Sequence, residues 1–203
     1  MLYQFRNVIV VFLFAAVLLG ACASAPPSTI IHTAHNPDPG HQGFRNVLVI
    51  SVAGDFESRA QFEREMAASI GNNNLAAAAY YTVLGRRPQL ERAAIHNAVR
   101  SRKFDAVIFT RLKGQEQQDL APMRPVGPGF DLFAYDYEEL NRDISISQAK
   151  AITFVTEVYS TATQHKVLAF ESLSFDQATA SDLLSEQVAM IAAELNKDKL
   201  LAR

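Results

Sequence analysis

Two short apolar runs constrain this chain more than anything else in it. Val47-Leu48-Val49-Ile50-Ser51-Val52 and the segment Phe104-Asp105-Ala106-Val107-Ile108-Phe109-Thr110 are rich in β-branched and aliphatic residues. Runs of this kind, rather than a strict apolar-polar alternation, mark strands buried on both faces. Between them lies room for two helices. Phe56 to Ile70 carries Phe62, Met66 and Ile70 four residues apart, with Glu57, Arg59, Glu63, Arg64 and Glu65 mostly on other faces, and Gly71 follows where a glycine ends a helix. Pro88 suits the first position of a second helix reaching about Arg102, with Leu90, Ala94, Ile95, Ala98 and Val99 on one side.

The stretch from Leu75 to Thr82 is ambiguous alone. Its four alanines favour helix, and its Tyr-Tyr-Thr end favours strand. A strand there completes two right-handed βαβ units and makes three strands parallel. Farther on, Ile152 to Tyr159 and Val167 to Leu173 flank a polar turn, Ser160 to Lys166, and predict an antiparallel hairpin. A last helix, from about Asp176 or Thr179 to Leu195, lines up Ala180, Leu184, Val188, Ile191 and Leu195. The expected fold is α/β, a two-layer or three-layer domain with a mixed sheet. Its order is β-α-β-α-β, a long insert, then β-β-α, over residues 46–201.

The start of the chain is of another kind. One basic residue, Arg6, precedes the unbroken apolar run Val8 to Leu19. That run has the length of a signal-peptide core, about 7–15 residues, and falls short of the roughly 20 needed to span a bilayer. It closes on Leu19-Gly20-Ala21-Cys22, after which Ala25, Pro26 and Pro27 follow. These four residues resemble the lipobox of bacterial lipoproteins, in which cleavage leaves the cysteine as an acylated first residue. The resemblance implies a signal peptide over 1–21, lipidation at Cys22, and a periplasm-facing protein held in a bacterial envelope membrane. Two or three acyl chains together anchor stably where one does not. In that family an Asp after the cysteine marks inner-membrane retention; Ala23 stands here, which by the same resemblance points to the outer membrane.

Composition then sets limits. Removing residues 1–21 leaves 182 of the 203 residues, with 18 bases against 21 acids and no second cysteine for a disulfide. That weak acidity gives no footing for nucleic acid. Residues 22–45 read as a flexible tether rich in Pro and His, since Pro26, Pro27, Pro37 and Pro39 withhold backbone donors from any ladder. His32, His35 and His41 match no rigid metal-site spacing and are joined there by no Cys or Glu, so no metal is expected.

The phrases VLVISVAG, KFDAVIFTRL and TEVYSTATQHKVLAFES, with the closing amphipathic helix, resemble a group of poorly characterised bacterial lipoproteins. More distantly they are similar to the α/β domains of CsgG-type curli-secretion lipoproteins and the TolB N-terminal domain. The resemblance rests on element order over about Asn46 to Leu201. It carries over no binding residue, and the insertions a CsgG-type pore would need are not evident.

No glycine-rich phosphate loop, His-Glu-x-x-His or Gly-x-Ser-x-Gly occurs. No catalytic residue and no cofactor are therefore expected. Gly54 and Asp55 stand at the carboxyl end of the first strand, where α/β folds often bind ligands, although such a pair is more commonly a turn. His96 has no nucleophile beside it. Glu157 and Glu171, on the two hairpin strands, could come near each other and divide acid and base roles, but on an open antiparallel face they are expected to be solvated, salt-bridged to Lys166 or to neighbouring arginines. The insert at about 112–142 becomes aromatic and acidic, and Phe130, Phe133, Tyr135 and Tyr137 could either close the sheet or meet a protein partner. The expected function is a non-catalytic interaction or accessory component of an envelope assembly, partnered by another envelope protein or by its own copies. The alternative is a ligand-binding or hydrolytic α/β protein using the Gly54 turn.

Overall fold

Strands β1 (Thr29–His35), β2 (Asn46–Val52), β3 (Ala76–Ala79), β4 (Ala106–Leu112), β5 (Ala151–Ser160) and β6 (Lys166–Phe175) form one mixed sheet in the order β1-β6-β5-β4-β2-β3. The structure is a computed structural model and describes residues 29–35, 43–52, 55–85, 90–112, 151–175 and 179–202. Four helices accompany the sheet among these residues: α1 (Phe56–Ile70), α2 (Tyr80–Leu84), α3 (Arg92–Arg102) and α4 (Ala180–Lys197).

The apolar runs become the centre of the sheet. β2 pairs in parallel with β3 on one side and β4 on the other, as two βαβ units require. β5 returns antiparallel to β4, and β6 antiparallel to β5, which is the expected hairpin. Alternate residues of each strand then feed two cores. Val47, Val49, Ile108, Phe154 and Phe170 pack against Phe62 and Met66 of α1 and Val188 and Ile191 of α4. Leu48, Ile50, Val107, Phe109 and Tyr159 pack with Tyr80 of α2 and Ile95 and Ala98 of α3. Helices therefore flank the sheet on both faces, so the arrangement has three layers rather than two.

Local chemistry sets the helix ends. The Asp55 carboxylate accepts the Ser58 amide at 2.9 Å and caps α1, and the Thr179 hydroxyl accepts the Asp182 amide at 3.1 Å and caps α4. Helix α3 ends on Lys103, whose φ of 54° is left-handed.

Three expectations need correction. Residues 22–45 are not a tether throughout: Thr29–His35 form β1, an edge strand antiparallel to β6. Its periodicity is broken by a register shift between Ile30 and His32, where Ile31 is the extra residue. The expected strand from Leu75 to Thr82 is a strand only over Ala76–Ala79, and Tyr80 opens a short helix instead. The expected helix from Pro88 begins at Arg92, with Leu90 buried just before it; Pro88 lies outside the described residues. The element order therefore gains a strand at its start and a short helix after β3. Of the long insert only Leu112, the last residue of β4, is among the described residues.

Candidate functional site

The carboxyl end of β2 is where sequence reasoning places a ligand turn. Gly54 lies outside the described residues, and Asp55 is exposed with its carboxylate engaged in capping α1. Two turns along α1, Glu63 is 1% exposed. Its Oε1 accepts the Ser51 amide at 3.0 Å, and its Oε2 accepts the Tyr81 amide at 3.0 Å. Arg59 reaches back from the same helix, its Nε donating to the Ser51 carbonyl at 3.1 Å. One carboxylate thus fastens β2, α1 and the first turn of α2.

Burial pushes Glu63 from 4.5 up to about 7, against the pull of the Ser51 and Tyr81 amides and the Arg59 charge. The Tyr80 phenol is pushed up to about 12, again chiefly by burial. The Ser51 hydroxyl is buried with no hydrogen-bond partner. A carboxylate with both oxygens taken by backbone amides is well placed to hold elements together and poorly placed to abstract a substrate proton.

The second buried cluster lies on the hairpin. Glu157 and Glu171 were expected on an open, solvated face, yet they are 5% and 3% exposed. β1 pairs beyond β6, so both strands of the hairpin are interior to the sheet and neither is its edge. Lys166 does pair with Glu157, at 2.6 Å, and the Tyr159 hydroxyl donates to the other Glu157 oxygen at 3.0 Å. Ala169 lies opposite Glu157 and Glu171 opposite Val155, so the two glutamates occupy the same side of the hairpin one step apart.

The other sequence candidates scatter. Cys22, His41, Phe130, Phe133, Tyr135 and Tyr137 lie outside the described residues. His32 and His35 fall on β1, at the register positions of Glu171 and Leu168. His96 is half-buried on α3. Among the described residues no three His, Cys, Asp or Glu side chains come together in a way that could hold a metal ion. No helix among them is long and apolar enough to cross a membrane.

Sequence reasoning missed Glu63 by assigning it to the wet side of α1. It directly follows Phe62 and precedes Met66 by three residues, so it borders the apolar stripe, and that was the available signal. It also missed a polar layer inside the first core. Thr110 and Thr156 share a hydrogen bond of 3.0 Å between strands, the Ser172 hydroxyl donates to Gln187 of α4 at 2.8 Å, and Gln187 in turn donates to Ser174.

No protein-family model matches the chain, and no curated protein matches it. Among solved structures it is similar to a point variant of the PelC dodecamer from Paraburkholderia phytofirmans, with 9% identity and a TM-score of 0.47 over 82% of this chain and 98% of that one. A second PelC dodecamer structure from the same organism gives 11% identity and a TM-score of 0.44 over 87% and 99%. Lipoprotein GNA1162 from Neisseria meningitidis gives 10% identity and a TM-score of 0.40 over 74% and 96%.

Proposed function

We propose that this chain is a lipid-anchored bacterial envelope protein that works by binding, without catalysis of its own. The observation that carries the reading is Leu19-Gly20-Ala21-Cys22 at the end of a signal-length apolar run. Acylation at Cys22 would hold the domain at a membrane facing the periplasm, and Ala23 favours the outer one. The fold adds support: β1 starts at Thr29, seven residues after Cys22, and enters at the sheet edge, so anchor and domain are joined by a short connection. Its partner is another envelope protein or a second copy of the chain, met through Phe130, Phe133, Tyr135 and Tyr137.

The competing reading, a ligand or hydrolytic site at the Gly54–Asp55 turn, has less behind it because the Asp55 carboxylate is committed to capping. Crosslinking from Tyr135 in intact cells, with size-exclusion light scattering of the purified protein, tests the partner. Recovery of neither an envelope protein nor a self-adduct, together with a monomeric mass, would overturn the interaction reading.

A further inference from the structure

Among the described residues, exposed bases gather at the end of the sheet opposite the start of β1. β2, β4 and β6 begin there, and α1, α3 and α4 end there. Arg45, Arg100, Arg102, Lys103 and Lys199 are exposed at this pole, and among the described residues none of the five forms an ion pair.

Backbone contacts hold the five together. Asn46 Nδ2 donates to the carbonyls of Arg102 and Lys103 at 2.8 and 3.1 Å. Asp105 accepts the amides of Arg45 and Asn46 at 2.7 and 3.0 Å. Phe44 pairs in parallel with Leu201, its amide donating to the Leu200 carbonyl at 2.7 Å, which brings the segment after α4, with Lys199, to the same pole as Arg45. Three acids share the pole with these bases: Asp105, which accepts those two amides, Glu194, which pairs with Lys197 at 3.2 Å, and Asp198, which directly precedes Lys199 and has one oxygen buried without a hydrogen-bond partner. The chain as a whole has a formal charge of −2, so this concentration of positive charge runs against its composition.

Helix dipoles favour bases at α3's end, but they give no reason for Arg45, and α1 ends at the same pole with no base in its last turn. Backbone conformation points the same way. Lys103 and Lys199 have φ of 54° and 56°, and the third left-handed non-glycine residue described, Gln164 at 59°, sits in the β5–β6 turn at this same end. A side chain in that region costs about 1 kcal/mol or more, so charge is kept at two positions where glycine would be cheaper.

We propose that this pole binds an acidic polysaccharide. Guanidinium forks and ammonium groups match uronate carboxylates, and the exposed carboxamides of Asn73 and Gln164 at the same pole match sugar hydroxyls. A protein interface is expected to centre on apolar or aromatic anchors. The two large hydrophobic residues exposed among the described residues, Ile31 and Leu84, lie elsewhere, on β1 and α2.

The test is binding of the purified full chain to polygalacturonate, with dextran, poly-L-glutamate and phosphatidylglycerol vesicles alongside. Expected are binding to polygalacturonate that weakens as salt rises, none to dextran, and weaker binding to the other two polyanions. Arg45→Glu with Arg102→Glu should weaken binding at least about tenfold, and Glu57→Lys at the other pole should leave it unchanged. Lys103→Gly guards against misfolding as the cause: it should raise the melting temperature and still lower affinity. Preference for poly-L-glutamate would replace the polysaccharide with an acidic protein, and preference for vesicles would replace it with a membrane. Either preference, or full binding by the double variant, overturns the proposal. The assay reads the pole whether or not Cys22 is acylated, so its failure leaves the anchoring to be judged by acyl labelling.

Discussion

The Glu63 carboxylate accepts the backbone amide of Tyr81 at 3.0 Å, so a side chain in the middle of α1 serves as the cap of a helix eighteen residues later. Ala79, at the capping position of α2, has no side chain able to do so. Glu63→Gln turns one of the two acceptors into a donor facing a backbone donor. A loss of about 1–3 kcal/mol in urea denaturation is expected, concentrated in early hydrogen exchange of the Tyr80–Leu84 amides. Unchanged exchange there would dismiss Glu63 as the fastener.

The same group sets a pH dependence. Glu63 titrates at about 7 in the fold against 4.5 ordinarily, so the folded chain holds that proton more tightly than the unfolded chain. Its contribution is complete below about pH 4.5 and is lost as pH rises through about 7, a span corresponding to about 3 kcal/mol. Glutamine does not titrate. Between about pH 5 and about pH 8 the wild type should therefore lose stability relative to Glu63→Gln, whereas parallel profiles would rule the effect out.

Lys166 and Glu157 pair at 2.6 Å with both side chains nearly inaccessible. Removing one partner strands a buried charge, and Lys166→Met should cost about 3–5 kcal/mol. Combining it with Glu157→Gln should recover part of that loss, as a double-mutant cycle would record. Additive losses would mean that the pair is not coupled.

Ser51→Ala offers a change in the other direction. Its hydroxyl is buried without a partner while its amide is used by Glu63. Deleting the orphan oxygen leaves that hydrogen bond intact, so the melting temperature should stay level or rise. A drop of several degrees would reveal a contact for the hydroxyl.

Cys22→Ser tests the anchor. Metabolic labelling with an alkyne fatty acid should mark the wild type and leave the variant unmarked, with the variant retained as uncleaved precursor or released from membranes. Equal labelling of both would end the lipoprotein reading.

What could be read from sequence followed from burial. β2 and β4 are legible because both faces are covered, which leaves uninterrupted apolar runs. α1 and α4 are legible because each presents one stripe to a core. β1 was hidden for the converse reason. It is an edge strand with Ile31 displaced in a bulge, so its pattern never settles into alternation, and its prolines-and-histidines setting resembles a linker. Glu63 was hidden because helical spacing tells which side a residue occupies but not how far an overlying turn closes upon it. That closure comes from Tyr81, on a segment where alanines and tyrosines gave contradictory propensities.

The placement of β1 also decides how the domain would bear tension. A pull transmitted through the residues before Thr29 arrives at one end of the strand and runs along its length. Hydrogen bonds to β6 lie across that direction, so they share the load in shear instead of parting one after another like a zip. An anchor attached this way would hold a working domain by its most force-resistant seam.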